Sequence, residues 1–139
     1  KVIGEGIEQQ NLRNKAPSNV IFFGILTHKE IDEVFSNSDL LFLPSKIEGF
    51  PKVILEAASA GVPSVVYDSY GASEWIDDKK NGFVVSAFNQ VEELINEILE
   101  DPRLLYKVSK NTQGLARRFN WINIIKDWEK VIIDLYNGK

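Results

Sequence analysis

The chain has 139 residues, 44% of them hydrophobic and 26% charged, with a net charge of −4. That composition supports one packed domain and excludes global disorder, and no run approaches the ~18 continuous apolar residues of a membrane span. The absence of Cys excludes disulfides and thiol catalysis, the single His28 excludes a histidine metal cluster and argues against a Ser-His-Asp triad, and the acidic balance argues against nucleic acid as a partner.

Val2-Ile3 reads as a short strand turned by Gly4-Glu5-Gly6, with a polar helix over 8–15. The chain thus opens inside a strand-to-turn pattern, which predicts a piece of a longer polypeptide. Val20-Ile21-Phe22-Phe23, closed by Gly24, reads as a strand buried on both faces. Thr27-His28-Lys29-Glu30 is a capping box, followed by Ile31, Val34 and Phe35 at helical spacing, so His28 is expected to be an exposed first-turn residue rather than a base. Leu40-Leu41-Phe42-Leu43 is a third buried strand, stopped by Pro44. A helix is predicted over 52–60, with Pro51 at or near its first position and Gly61 just past its end. Strands follow over 63–67 and 82–85, with Asp77-Asp78-Lys79-Lys80 between them as a solvated turn. Asn89-Gln90-Val91-Glu92 begins a helix running to about Glu100, Asp101-Pro102 another to about Arg118, and Asn120-Trp121 the last. Trp121, Ile124, Ile125, Trp128, Val131, Ile132 and Leu135 form a broad apolar stripe on that helix, expected either to pack in the core or to meet a domain outside this sequence. Trp75, Trp121 and Trp128 are read as packing residues rather than sugar platforms. Alternating strands and helices of this kind predict an α/β fold, a Rossmann-like parallel sheet with helices on both faces.

In open α/β sheets, ligands sit beyond the carboxyl ends of the strands. The richest such place is Pro44-Ser45-Lys46-Ile47-Glu48-Gly49-Phe50-Pro51-Lys52, where a strand ends, a carboxylate sits beside a glycine, and a helix begins at once. A helix N-terminus offers free N–H groups and about half a positive charge, so anionic phosphate oxygens fit there without a Walker-type loop. Pro51 has no N–H, which leaves the amides of Gly49, Phe50, Lys52 and Val53 as donors. One turn further in, Glu56 can accept two hydrogen bonds from adjacent hydroxyls, as a ribose provides. The plainer reading of Lys52 and Glu56 is an exposed i,i+4 pair in the weaker Lys-first order. The Glu48 to Glu56 separation is not specific by itself, since Glu92 and Glu100 share it. Val53, Ile54, Ala57 and Ala58 form the opposite stripe and are expected to pack on the sheet.

Context sets the first pair apart. The run from Pro44 to Val66, containing Glu48-Gly-Phe-Pro-Lys-Val-Ile-Leu-Glu56-Ala and Gly61-Val-Pro63, resembles the E-x7-E signature of retaining GT-B glycosyltransferases of the family 4 type (glycosyl transferases group 1). Val2-Ile3-Gly4-Glu5-Gly6, Asn19-Val-Ile-Phe-Phe-Gly24, Gly71-Ala-Ser-Glu74, Asn81-Gly82-Phe83-Val84-Val85 and Phe119-Asn120-Trp121 resemble further landmarks of that family, in order along nearly the whole chain. The resemblance implies the C-terminal donor-binding domain of a two-domain enzyme, one partial domain over 1–139. Such an enzyme transfers a sugar from a nucleotide-diphosphate sugar to a glycan or lipid-linked acceptor, in bacterial polysaccharide, capsule or lipopolysaccharide assembly. It implies that Glu48 stands beside the donor sugar as the catalytic carboxylate and that Gly49 and Phe50 offer backbone donors to sugar hydroxyls and phosphate. Lys52 and Val53 would offer amides to the diphosphate, Glu56 would hold the ribose, and Gly24 to Leu26 would line the base pocket. It also implies no metal and no cofactor beyond the nucleotide-sugar substrate; the charge balance predicts no nucleic-acid partner, and the composition a cytoplasmic setting, membrane-peripheral only through the absent domain.

The family's sheet has the order 3-2-1-4-5-6, and this sequence is expected to begin at the second strand. The N-terminal acceptor domain is also absent, so the chain alone is expected to be inactive in transfer. Ala72 stands where the second Gly of the Gly-Gly turn is usual. Tyr70 borders the cleft with no chemistry legible for it. Other readings of the same architecture are a nucleotide-sugar isomerase or phosphorylase and a non-catalytic nucleotide-binding module.

Overall fold

The computed structural model describes residues 1–138, which divide into two compact units, one over 1–37 and the other from residue 38 onward. In the first unit, β1 (Val2–Ile3) and β2 (Phe22–Gly24) pair in parallel, Val2 opposite Phe22 and Ile3 opposite Gly24. Helix α1 (Gln9–Lys15) connects them and α2 (His28–Ser36) follows. Gly4 and Gly24 both hold positive φ, +104° and +72°, and the Gly4 N–H donates to the Gly24 carbonyl at 2.7 Å. Each glycine thus turns the chain where a Cβ would be strained. The capping box stands as predicted. The Thr27 hydroxyl accepts from the Glu30 N–H, and the Glu30 carboxylate accepts from the Thr27 N–H at 2.8 Å and from its hydroxyl at 2.7 Å. These bonds hold the Glu30 carboxyl below its ordinary range. His28 is exposed, as expected.

The second unit carries β3 (Leu41–Leu43), β4 (Ser64–Tyr67) and β5 (Phe83–Val85) as a parallel sheet in that order. The register sets Phe42 opposite Val65 and Val65 opposite Phe83. The neighbour pairs are those the resemblance implies: second strand with third, and fourth, fifth and sixth in sequence. All four residues of β4 are buried, because it alone among the described strands has a strand on each side and helices over both faces. The expectation of full burial fails for the other two apolar runs. Ile21 and Phe23 are exposed beside and within β2, and β3 is only half-buried, because within its own sheet each of these strands has a neighbour on one edge alone.

The period of two along β4 separates two apolar layers. Val65 and Tyr67 face Phe83, Val85, Leu94, Ile98 and Val108, the last three from α4 (Phe88–Glu100) and α5 (Pro102–Arg118). Val66 faces the opposite layer, with Ile54 and Ala58 of α3 (Lys52–Ser59), Ala72, Ile76 and Leu115. Helix α5 serves both layers, Val108 on one side and Leu115 on the other.

The Asp77–Lys80 turn is built rather than merely solvated. Asp78 accepts from the Val84 N–H at 2.9 Å, and Lys79, at φ +55°, pairs with Glu97 at 2.7 Å. Next to it, Gly82 leaves no room for a side chain. A Cβ there would lie 2.9 Å from Ile76 Cγ2 and 3.2 Å from the Ser64 carbonyl oxygen. Gly82→Ala is therefore expected to lower stability by about 1–3 kcal/mol through overpacking, read as a lower denaturation midpoint at unchanged m-value.

The last helix, α6 (Trp121–Tyr136), corrects the expectation of core packing. None of its described residues is buried, and Trp121 and Trp128 are 77% and 65% exposed. Its apolar stripe is a surface. No helix among the described residues is long and apolar enough to cross a membrane.

Candidate donor site

The segment from Pro44 to Lys52 leaves the carboxyl end of β3 and enters α3. Helices α2, α5 and α6 are capped by the side chains of Thr27, Asp101 and Asn120, and the residues before α4 by Gln90. Helices α1 and α3 lack such a cap: neither Glu8 before α1 nor Pro51 before α3 makes a side-chain capping hydrogen bond to its helix, and Pro51 has no side-chain acceptor to offer. The Ile54 N–H turns back to the Pro51 carbonyl at 3.1 Å, whereas the Lys52 and Val53 amides donate to no group among the described residues. An uncapped terminus of this kind, with its partial positive charge, is a ready acceptor of anionic oxygen.

Six of the residues singled out from sequence fall within this one turn-to-helix segment. Gly49 is exposed and Glu48 half-buried beside it. Lys52 is exposed on α3 and Val53 half-buried, while Ile54, Ala57 and Ala58 are buried against the sheet. Glu56 is half-buried and makes no ion pair with Lys52, which sets aside the plainer reading of those two residues as a surface pair. Its carboxylate is left to accept from elsewhere. Gly24 and Leu26 belong to the first unit, where Leu26, Phe23, Glu30 and Val34 help line a cavity of about 360 Å³ that does not include Gly24.

Two features of this segment had no local signal. The first is the anchoring of the loop. The Phe50 ring lies 5.1 Å from that of Trp75 and 4.9 Å from that of Phe119, centroid to centroid, with interplanar angles of 44° and 47°. Residues from three distant segments thereby pin the backbone next to Gly49, at the centroid separations aromatic pairs favour. Trp75 fulfils its expected packing role here, unlike Trp121 and Trp128. The clue available in the sequence was that Trp75 and Phe119 lie beside or within landmark motifs. The second feature is Tyr70, three residues past the end of β4, whose ring packs against the layer of Ile54 and Val66. Its hydroxyl is shut off from solvent and has no hydrogen-bond partner among the described residues. Burial raises the pKa of that hydroxyl, and the negative charge of Glu48 raises it further, so the group stays protonated and feels the carboxylate.

The parallel sheet, its two helix layers and the open helix terminus beyond β3 define a Rossmann-like α/β domain of the kind found as the C-terminal half of GT-B proteins. The chain belongs to the family described as Glycosyl transferases group 1, whose profile matches residues 1–115. It is similar to an uncharacterized glycosyltransferase of Haemophilus influenzae, at 27% identity over 95% of this chain and 39% of that protein. It is also similar to the UDP-Gal:alpha-D-GlcNAc-diphosphoundecaprenol alpha-1,3-galactosyltransferase of Escherichia coli, at 34% identity over 77% of this chain and 27% of that one. Among solved structures, Anabaena HepE in complex with UDP and glucose superposes with a TM-score of 0.78 at 25% identity, covering 95% of this chain and 39% of HepE. The chain thus spans well under half the length of these relatives.

Proposed function

We propose that this chain is the donor-binding domain of a retaining glycosyltransferase of the family 4 type, which transfers a sugar from a nucleotide-diphosphate sugar to a glycan or lipid-linked acceptor. The observation that carries the reading is the uncapped start of α3, with the Lys52 and Val53 amides unpartnered among the described residues, between two half-buried carboxylates, Glu48 before them and Glu56 one turn beyond. A net charge of −4 makes the chain as a whole unattractive to a diphosphate, so a local field of backbone dipoles has to hold it. The Gly49 and Phe50 amides extend that cradle toward the sugar. Glu56 accepts from the ribose hydroxyls, and Glu48 faces the sugar. The base contacts are assigned to the backbone from Gly24 to Leu26 on the resemblance alone. The HepE structure with UDP and glucose, and the galactosyltransferase that acts on a lipid-linked diphosphate, support a nucleotide-sugar donor and a role in bacterial surface polysaccharide assembly.

In the reaction, the bond from the anomeric carbon to the diphosphate oxygen breaks and its electron pair leaves with the phosphate. The acceptor hydroxyl forms the new bond on the same face, and its proton passes to the departing phosphate oxygen beside it. The sugar passes through an oxocarbenium-like state, so fixed charge does most of the work and no side-chain nucleophile is needed. The remainder of the protein supplies the acceptor side, and the uncovered apolar face of α6 is the surface we assign to it. The chain by itself is expected to show no transfer.

Calorimetric titration of the intact protein with UDP, GDP and ADP tests the reading and identifies the base. One nucleotide is expected to bind. Glu56→Ala is expected to weaken it by about 10- to 100-fold, the worth of hydrogen bonds to a charged acceptor. Binding by none of the three, or equal binding by the variant, overturns the assignment.

A further inference from the structure

The hydroxyl of Tyr70 has no place in the site as assigned so far. Folded proteins leave few buried polar groups unpaired, because each forfeits its hydration for nothing. Here the unpaired group is a phenol held by a ring packed in the core layer, in the loop that follows β4. That loop leaves the same end of the sheet as the segment carrying Glu48, since β3 and β4 are parallel neighbours with Leu43 opposite Val66. The Glu48 carboxylate acts on the phenol electrostatically, yet the two are not hydrogen-bonded to one another.

A phenol that donates and a carboxylate that only accepts select among the groups of a nucleotide-diphosphate sugar. A phosphate oxygen suits the phenol but is repelled by Glu48. A neutral hydroxyl suits both, because it donates to the carboxylate and accepts from the phenol through the same oxygen. We propose that Tyr70 is a sugar-recognising residue, whose hydroxyl donates to a hydroxyl of the donor sugar that in turn donates to Glu48. The inference rests on the donor-site reading above and adds to it the group that selects the sugar rather than the nucleotide.

Tyr70→Phe in the intact protein separates this role from a structural one. The ring and its packing remain, and the variant loses only an unpaired buried hydroxyl, so its thermal midpoint is expected to stay level or rise. Binding is compared for UDP and UDP-glucose, GDP and GDP-mannose, and ADP and ADP-glucose. For the pair the wild-type protein recognises, Tyr70→Phe is expected to leave the bare nucleotide unchanged and to weaken the nucleotide sugar by about five- to tenfold. Equal loss for both, or loss for neither, overturns the role of Tyr70 while leaving the donor site intact. A wild-type protein that binds no member of any pair overturns the donor site itself, and this inference with it.

Discussion

Glu48→Gln in the intact enzyme is expected to lower kcat by about 100- to 1,000-fold, the scale of removing one preorganised electrostatic group from an active site. Affinity for the bare nucleotide is expected to hold. The substitution keeps the side chain's size and removes its charge. If positive charge develops on the sugar as the diphosphate leaves, a half-buried carboxylate next to the cradle stabilises that state more than the ground state. The contrast with Glu56→Ala is the informative part. One carboxylate is assigned to turnover and the other to binding, so the two variants should separate in kcat and Kd. Wild-type kcat in Glu48→Gln, or parallel losses of binding in both variants, would remove Glu48 from the transition state.

Phe83→Ala is expected to cost about 3–5 kcal/mol of stability, the largest effect of any single core truncation here. Phe83 is 1% exposed and heads the fully buried side chains by volume. It pairs directly with Val65 of the central strand and fills the layer between that strand and helices α4 and α5. Its neighbours approach from three elements, so a cavity there cannot close by the shift of one loop. Denaturant unfolding of the intact protein at unchanged m-value measures the loss, and a change below 1 kcal/mol would place Phe83 outside the cooperative core.

Much of the framework was legible because it is set by neighbours in sequence. Thr27 and Glu30 lie three apart and close their box from local geometry alone. The buried face of α3, through Ile54, Ala57 and Ala58, follows from helical spacing. The open N–H groups of Lys52 and Val53 follow from a proline where a capping side chain is usual. The candidate site was legible for the same reason, since six of its residues lie within one loop and two turns of helix.

Burial was less legible, because an apolar run does not reveal how many strands flank it. Leu41–Leu43 and Ser64–Tyr67 both read as interior strands, yet only the second has a partner on both edges of its sheet. The stripe on α6 likewise reads as core from its period and is exposed in the fold. Sequence by itself determined the elements, the parallel architecture and the helix terminus with its two carboxylates, each a product of spacing over a few residues. Only the tertiary structure decided that Phe50 is held between Trp75 and Phe119 and that the Tyr70 hydroxyl is buried and unpaired under the influence of Glu48. Contacts between residues 20 to 70 positions apart depend on how the helix layers close on the sheet, and no local pattern encodes that closure.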